Sequence, residues 1–247
     1  MQRIVIVGAS SGIGLRVAES MAARGFKVGV AARRTEALEH LKTHNPDNVE
    51  YMAIDITRSD APERLSMLID LIGGMDVYFH AAGIGYDNPD LKPAREAEIV
   101  NTNSCGFARM VSAAYRYFRD NGARGHIAAV TSVAGTNGLA GMAAYSASKR
   151  MAQTYLVALE QLSRNEGCKI AFTDIRPGWI RTPLLHDGTK YPFEMTLDYA
   201  VERIVRAIDR KNRVAVIDWR WRLLVWLWRL VPDCIWTRIN AGIMIGR

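Results

Sequence analysis

The chain predicts an α/β fold in which a doubly wound, parallel seven-stranded sheet carries helices on both faces. Three observations predict it. Seven apolar runs of strand length alternate with segments of helical period, and several of those runs are continuous Val/Ile/Ala stretches of the kind buried on both faces. The first run ends in a glycine-rich turn that leads into a helix. In a chain of 247 residues, 49% hydrophobic and 23% charged, such a fold can form one domain without a disulfide or metal staple. The same composition excludes a disordered or collagen-like chain.

The first strand covers residues 4–7 and is too short for the apolar core of a signal peptide, so a cytoplasmic chain is expected. A helix over 13–24 follows, then a strand over 27–32, a helix over 35–43, a strand over 49–54 and a helix over 60–72. The second half continues with a strand over 76–81, one long helical segment over 91–120 and a strand over 126–131. A helix over 145–165, a strand over 169–175, a helix over 196–211 and a strand over 213–217 complete the alternation. Strand-to-strand crossovers in such a sheet are right-handed, and ligands sit at the C-terminal strand ends. No internal repeat or Pro/Gly-rich linker divides the chain. Residues 1–217 read as one domain, and 218–247 as an amphipathic extension packed on it, on a membrane or on another subunit.

The formal charge of +7 is uneven: residues 1–200 hold 22 Lys and Arg against 21 Asp and Glu, whereas residues 201–247 hold 10 against 4. A nucleic-acid binder would show a basic face on its folded body, which the first 200 residues lack. Cys105, Cys168 and Cys234 are odd in number and far apart, which argues against disulfides and zinc and suggests reduced, buried thiols; no metal site is expected.

After the first strand, Gly8-Ala9-Ser10-Ser11-Gly12-Ile13-Gly14 has the spacing G-x3-G-x-G. Its glycines permit a tight turn and close backbone approach to a pyrophosphate, whose charge would rest on free N–H groups at the helix N-terminus. The residues also fit G-x-S-x-G, a hydrolase nucleophile elbow with Ser10 as nucleophile, but only one strand precedes them and such an elbow needs earlier strands to build its oxyanion hole. A plain strand-to-helix turn is the third reading. Beyond the second strand, Ala32 is followed by Arg33 and Arg34 where an NAD site would place an acid. Two cations opening a helix oppose its dipole, so an external anion, the 2′-phosphate of NADP, explains them better than solvation does.

Tyr145 and Lys149 share one helix face at i,i+4 spacing, and an ammonium nearby favours phenolate, so the phenol could exchange a proton with a carbonyl or alcohol oxygen. An exposed pair with no function has the same spacing. Ser132 ends the fifth strand, at the edge where ligands bind, and could hydrogen-bond the substrate oxygen. Asn103 lies inside a helical segment, where an amide is a poor helix former unless it makes a local bond.

With these motifs in this order, joined by Asp55-Ile56, Ala82-Gly83, Asn103-x-x-Gly106 and Pro177-Gly178-x-x-x-Thr182, the chain resembles the short-chain dehydrogenase/reductase family over residues 1–217. The resemblance implies a Rossmann-type fold and a dinucleotide-dependent interconversion of carbonyl and alcohol. It implies Tyr145 as general acid/base, Lys149 as its tuner and a ribose contact, Ser132 orienting the reacting oxygen and Asn103 holding a relay water. It further implies Asp55 and Ile56 at the adenine, Ala82 and Gly83 on the adenosine ribose side, Ile180 and Thr182 at the nicotinamide carboxamide, and a homo-oligomer. Two departures are His80-Ala81 where the family has Asn-Asn, which predicts a hydrogen-bonded structural histidine, and Val7 in place of Thr.

The segment over 219–231 carries four of the six tryptophans and is too short and too arginine-rich to span a bilayer. It could lie on anionic lipid at the inner membrane surface, close over an apolar substrate, or be an ordinary core or subunit-interface helix. Residues 184–195, with His186, Lys190, Tyr191 and Phe193, are expected to form the substrate loop, and their aromatic content suggests a partly apolar small-molecule substrate. An NADP(H)-dependent oxidoreductase is the first reading. The alternative is a catalytically weak nucleotide-binding, membrane-docked interaction protein of the same fold.

Overall fold

The computed structural model describes residues 1–122, 124–182 and 191–239. Seven strands form one parallel sheet in the order β3-β2-β1-β4-β5-β6-β7. They are β1 Arg3–Val7, β2 Lys27–Ala32, β3 Val49–Ala53, β4 Val77–His80, β5 Arg124–Val130, β6 Lys169–Arg176 and β7 Val214–Val216. Their pleat sorts the core by alternation: Ile4 and Ile6 of β1 face one layer, Val5 and Val7 the other. The first layer holds α1 Gly12–Ala23, α2 Glu36–His44, α7 Leu197–Asp209 and α8 Trp219–Trp228, with Val17, Met21, Leu38, Ile204 and Trp221 buried. The second holds α3 Ala61–Leu71, α5 Phe107–Asp120 and α6 Ala143–Asn165, with Leu68, Met110, Phe118 and Leu156 buried. A short helix, α4 Pro93–Val100, precedes α5, and α9 Asp233–Trp236 follows α8.

The expected helix over 91–120 is interrupted. Between α4 and α5 the segment Asn101–Gly106 is a π-helix, the widened turn that recurs at functional sites. Two contacts account for it. The Asn103 amide bonds outward to the backbone of Ile84, and Gly106 presses so close to Ile56 that a Cβ there would lie 2.8 Å from that side chain. The cysteines also differ from expectation: Cys105 and Cys234 are exposed and Cys168 is half-buried, because the first lies in the π segment and the second in the first turn of the peripheral α9.

Order reverses at β1, which pairs with β2 on one side and β4 on the other, so the chains leaving β1 and β4 part and open a crevice at their C-terminal ends. Gly8 makes that junction possible. Its φ is +93°, and a Cβ on it would lie 2.3 Å from the Ala82 nitrogen beyond β4. At the far edge, β7 passes into α8 through Asp218, whose left-handed backbone is secured by its own carboxylate, which accepts the Arg220 amide at 2.9 Å and pairs with the Arg220 guanidinium.

A buried ion pair within β6 also holds the residue that follows β5. The Asp174 carboxylate accepts from Arg176 at 2.5 Å and from the Thr131 hydroxyl at 2.6 Å, and both members of the pair are buried. Removing one charge strands the other away from water. Asp174→Asn is therefore expected to lower unfolding free energy by about 3–5 kcal/mol in urea titrations, and the double variant Asp174→Asn/Arg176→Met by clearly less.

Candidate active site

Two cavities meet at the crevice. The first, about 610 Å³, is lined by Gly8, Ser10 to Gly14, Arg33, Arg34, Asp55, Ile56, Ala82, Gly83 and Thr182. Thr57 and Thr102 also line it and were not anticipated. The second, about 380 Å³, is lined by Ser132, Tyr145, Lys149, Pro177, Gly178 and Ile180 together with a wall of apolar side chains. Ile13, Ala81, Gly83, Ile84 and Thr182 belong to both.

The first cavity suits a dinucleotide. Ser11 caps α1 without a side-chain bond, and the first turn of α1 has no acidic residue, so the helix keeps its positive end and free N–H groups for an anion. Gly14 lies where a Cβ would be 2.2 Å from the Gly8 carbonyl, which leaves backbone alone to face a pyrophosphate. Arg33 and Arg34 are exposed at the rim, and among the described residues neither is ion-paired. Asp55 turns its carboxylate back onto Thr57, accepting from its backbone N–H at 3.0 Å and its hydroxyl at 2.7 Å. Burial resists this charge, but those bonds and the nearby Arg33 hold its pKa below the usual value. Ser10 lies in this cavity with no histidine among its lining residues, an arrangement without the base a nucleophile elbow requires.

In the second cavity, Ser132 stands two residues beyond β5 in an extended conformation, where its hydroxyl accepts the Ala134 amide at 3.1 Å. Tyr145 occupies the first turn of α6 and Lys149 the next. The ring of Tyr145 is half-buried against Gly85, where a Cβ would lie 2.9 Å from it. The glycine was not singled out beforehand, although Gly83-Ile84-Gly85 follows β4 directly. Burial raises the Tyr145 pKa and a hydrogen bond with Ser132 opposes that rise. The expected lowering by Lys149 is not what the chain alone shows, because the ammonium, 5.6 Å from the ring centroid, is directed to the Val130 carbonyl at 3.2 Å. Lys149 is itself buried and its pKa falls to about 8, with the Asp174 charge acting against that fall.

Asn103 lines neither cavity. Its Oδ1 accepts the Ile84 amide at 2.9 Å, and its Nδ2 donates to the Ile84 carbonyl at 2.7 Å and the Ser148 hydroxyl at 3.2 Å. It thus clamps the loop that carries Gly83, where a Cβ would lie 3.3 Å from Asn103 Oδ1 and 3.4 Å from Lys149 Nζ. His80 is fully buried, with Nδ1 2.9 Å from the Tyr78 hydroxyl. Burial and the Lys149 charge push its pKa down to about 3, so the ring is neutral.

The apolar wall comes from distant parts of the chain: Leu139, Met142, Trp179, Phe193, and Trp221, Leu224 and Trp228 of α8. Trp179 stacks on Tyr191, with ring centroids 4.3 Å apart. Gly178 leaves room for Trp221, whose ring a Cβ would meet at 2.1 Å. His186 and Lys190 lie outside the described residues.

Residues 2–191 match the model of the short chain dehydrogenase family. An uncharacterized oxidoreductase of Myxococcus xanthus is 35% identical over 228 residues, covering 90% of this chain and 88% of that protein. Among solved structures, a short chain dehydrogenase of Burkholderia cenocepacia in complex with NADP superposes with a TM-score of 0.82 at 21% identity, covering 97% of this chain and 99% of that one. A 3-ketoacyl-(acyl-carrier-protein) reductase of Brucella melitensis complexed with NADH gives a TM-score of 0.76 at 24% identity over 87% and 95%. By its family match and by its likeness to relatives over most of their length, the chain belongs to the short-chain dehydrogenase family and is an NAD(P)-dependent oxidoreductase.

Proposed function

We propose that the protein interconverts a carbonyl and an alcohol on an apolar small molecule, with NADP(H) as its nucleotide. The observation that carries this reading is the placement of Tyr145, Ser132 and Lys149 in one cavity that shares five residues, Ile13, Ala81, Gly83, Ile84 and Thr182, with the groove at the N-terminus of α1. When bound, the nicotinamide supplies or accepts the hydride. This chain's residues handle the oxygen and its proton. The Tyr145 hydroxyl donates the proton to the forming alkoxide in reduction, and as phenolate withdraws it in oxidation. Ser132 fixes the same oxygen by a second hydrogen bond. Lys149 holds the cavity's positive charge 5.6 Å from the centre of the phenol ring, anchored on the Val130 carbonyl. Asn103 positions, through Ile84, the loop on which Gly83 lies against Lys149.

The nucleotide preference rests on Arg33 and Arg34, free guanidinium groups at the rim where no acid follows β2. The Burkholderia structure contains NADP and the Brucella structure NADH, so the fold itself accommodates either. The substrate class follows from the second cavity. Its polar lining residues are Thr131, Ser132, Tyr145, Lys149 and Thr182, and Lys149 alone among them is charged. A molecule with one reactive oxygen and a hydrocarbon body matches this lining.

Tyr145→Phe is expected to reduce turnover about 100- to 10,000-fold while NADPH affinity, read by fluorescence titration, stays within a few-fold. Replacing Arg33 and Arg34 by Ala should cut the preference for NADPH over NADH by about tenfold to hundredfold for each lost charge-assisted bond, measured as the ratio of kcat/KM values. The pKa of Lys149, about 8 in the fold against an ordinary 10.5, also sets a stability profile. Between those values the unfolded chain holds a proton that the fold has released, so the stability of the nucleotide-free protein should rise with pH across that window relative to Lys149→Met. Urea titrations at either end of the window measure the difference, and a constant gap would contradict the buried ammonium.

A further inference from the structure

Helix α8 has two apolar faces. One points inward: Trp221, Val225 and Trp228 are buried, and Trp221, Leu224 and Trp228 line the substrate cavity. The other points to solvent. Trp219 is 69% exposed, Leu223 53%, Trp226 58%, Leu227 45% and, just past the helix, Leu230 61%. The positions 219, 223, 226 and 230 repeat at alternating steps of four and three, so they form one continuous stripe along the helix. Contiguous outward tryptophan and leucine on a surface helix mark an interaction site.

The surroundings favour one occupant. From 219 to 239 the chain holds four arginines, Arg220, Arg222, Arg229 and Arg238, against the single acid Asp233. Arg222 is exposed and among the described residues has no ion-pair partner, whereas Arg220 is engaged by Asp218. Pairing α8 with its copy in a second protomer would bring two such arginine-rich segments together, which like charge opposes. An anionic bilayer surface reverses that sign. It attracts the arginines, takes the indoles of Trp219 and Trp226 at headgroup depth, and accepts the leucines among its acyl chains. No helix among the described residues is long and apolar enough to cross a membrane, and this one would lie in the plane of the interface. We propose that the outer face of α8 docks this protein on anionic lipid, which sets the apolar wall of the substrate cavity one helix thickness from the bilayer. The proposal extends the functional reading but does not rest on it, since its test reads binding and not turnover.

Flotation of the full chain with phosphatidylcholine vesicles, with and without phosphatidylglycerol, tests it. The intact protein should float with the anionic vesicles and lose that binding at high salt, and brominated lipid should quench part of its tryptophan fluorescence. Arg222→Gln should weaken partitioning about fivefold. The exposed triple variant Trp219→Ser/Leu223→Ser/Trp226→Ser should abolish binding while its circular dichroism and melting temperature match the parent. If the triple variant misfolds, Arg222→Gln and the quenching decide. Absence of flotation with either vesicle overturns the proposal, as does flotation that the triple variant leaves intact. A dimer that dissociates in the triple variant, seen by light scattering without vesicle binding, would also overturn it and assign the face to a second copy.

Discussion

Lys149 carries its ammonium to a largely buried place at the cavity wall, and the groups around it answer the lost hydration one by one. The Val130 carbonyl accepts from it at 3.2 Å, and the buried Asp174 supplies opposing charge from β6. Gly83 has no side chain to meet it, and the neighbouring His80 stays neutral under the same charge. Asp174 in turn is held by Arg176 and Thr131, the residue before Ser132. The buried Lys149 and the packing of β5 against β6 are thus parts of one electrostatic arrangement, in which Asp174 opposes the fall in the Lys149 pKa.

The sheet supplies the location. Because strand order reverses at β1, the loops after β1 and β4 separate, and the groove beside Gly8 to Gly14 opens into the cavity beside Tyr145. Two glycines work at contact distance to make this possible, Gly8 against Ala82 and Gly14 against Gly8 itself. A residue with a side chain at either would push apart the backbone that lines the groove.

Much of this was legible in the sequence because it depends on local pattern. The alternation of apolar runs placed all seven strands to within a residue or two, and residues with four-residue spacing, Tyr145 and Lys149, necessarily share a helix face. What escaped depends on long-range contact. The π segment at Asn101–Gly106 exists because Asn103 bonds to Ile84, and no periodicity within 91–120 announces a partner in another loop. The exposure of Cys105 follows from the same segment. The pKa of Tyr145 could not be inferred from spacing either, since it depends on where the Lys149 ammonium points and how deeply the ring is buried. Trp221, Leu224 and Trp228 were visible as an apolar helix, but only the path of the chain through Asp218 shows that they wall the cavity.

The tail of the molecule therefore shares in the site, although its residues lie far along the chain from Tyr145. Helix α8 lines the cavity beside Tyr145 with one face and presents tryptophan and leucine to the exterior with the other. The central claim is that hydride and proton reach a single carbonyl in the cavity where Tyr145, Ser132 and Lys149 converge. Incubating the enzyme in ordinary water with NADPH carrying deuterium at both C4 positions and an apolar ketone or aldehyde tests it most directly. The account predicts an alcohol with one deuterium on the carbinol carbon and none on the oxygen; an unlabelled alcohol, or no alcohol from any member of an aldehyde and ketone series, would contradict it.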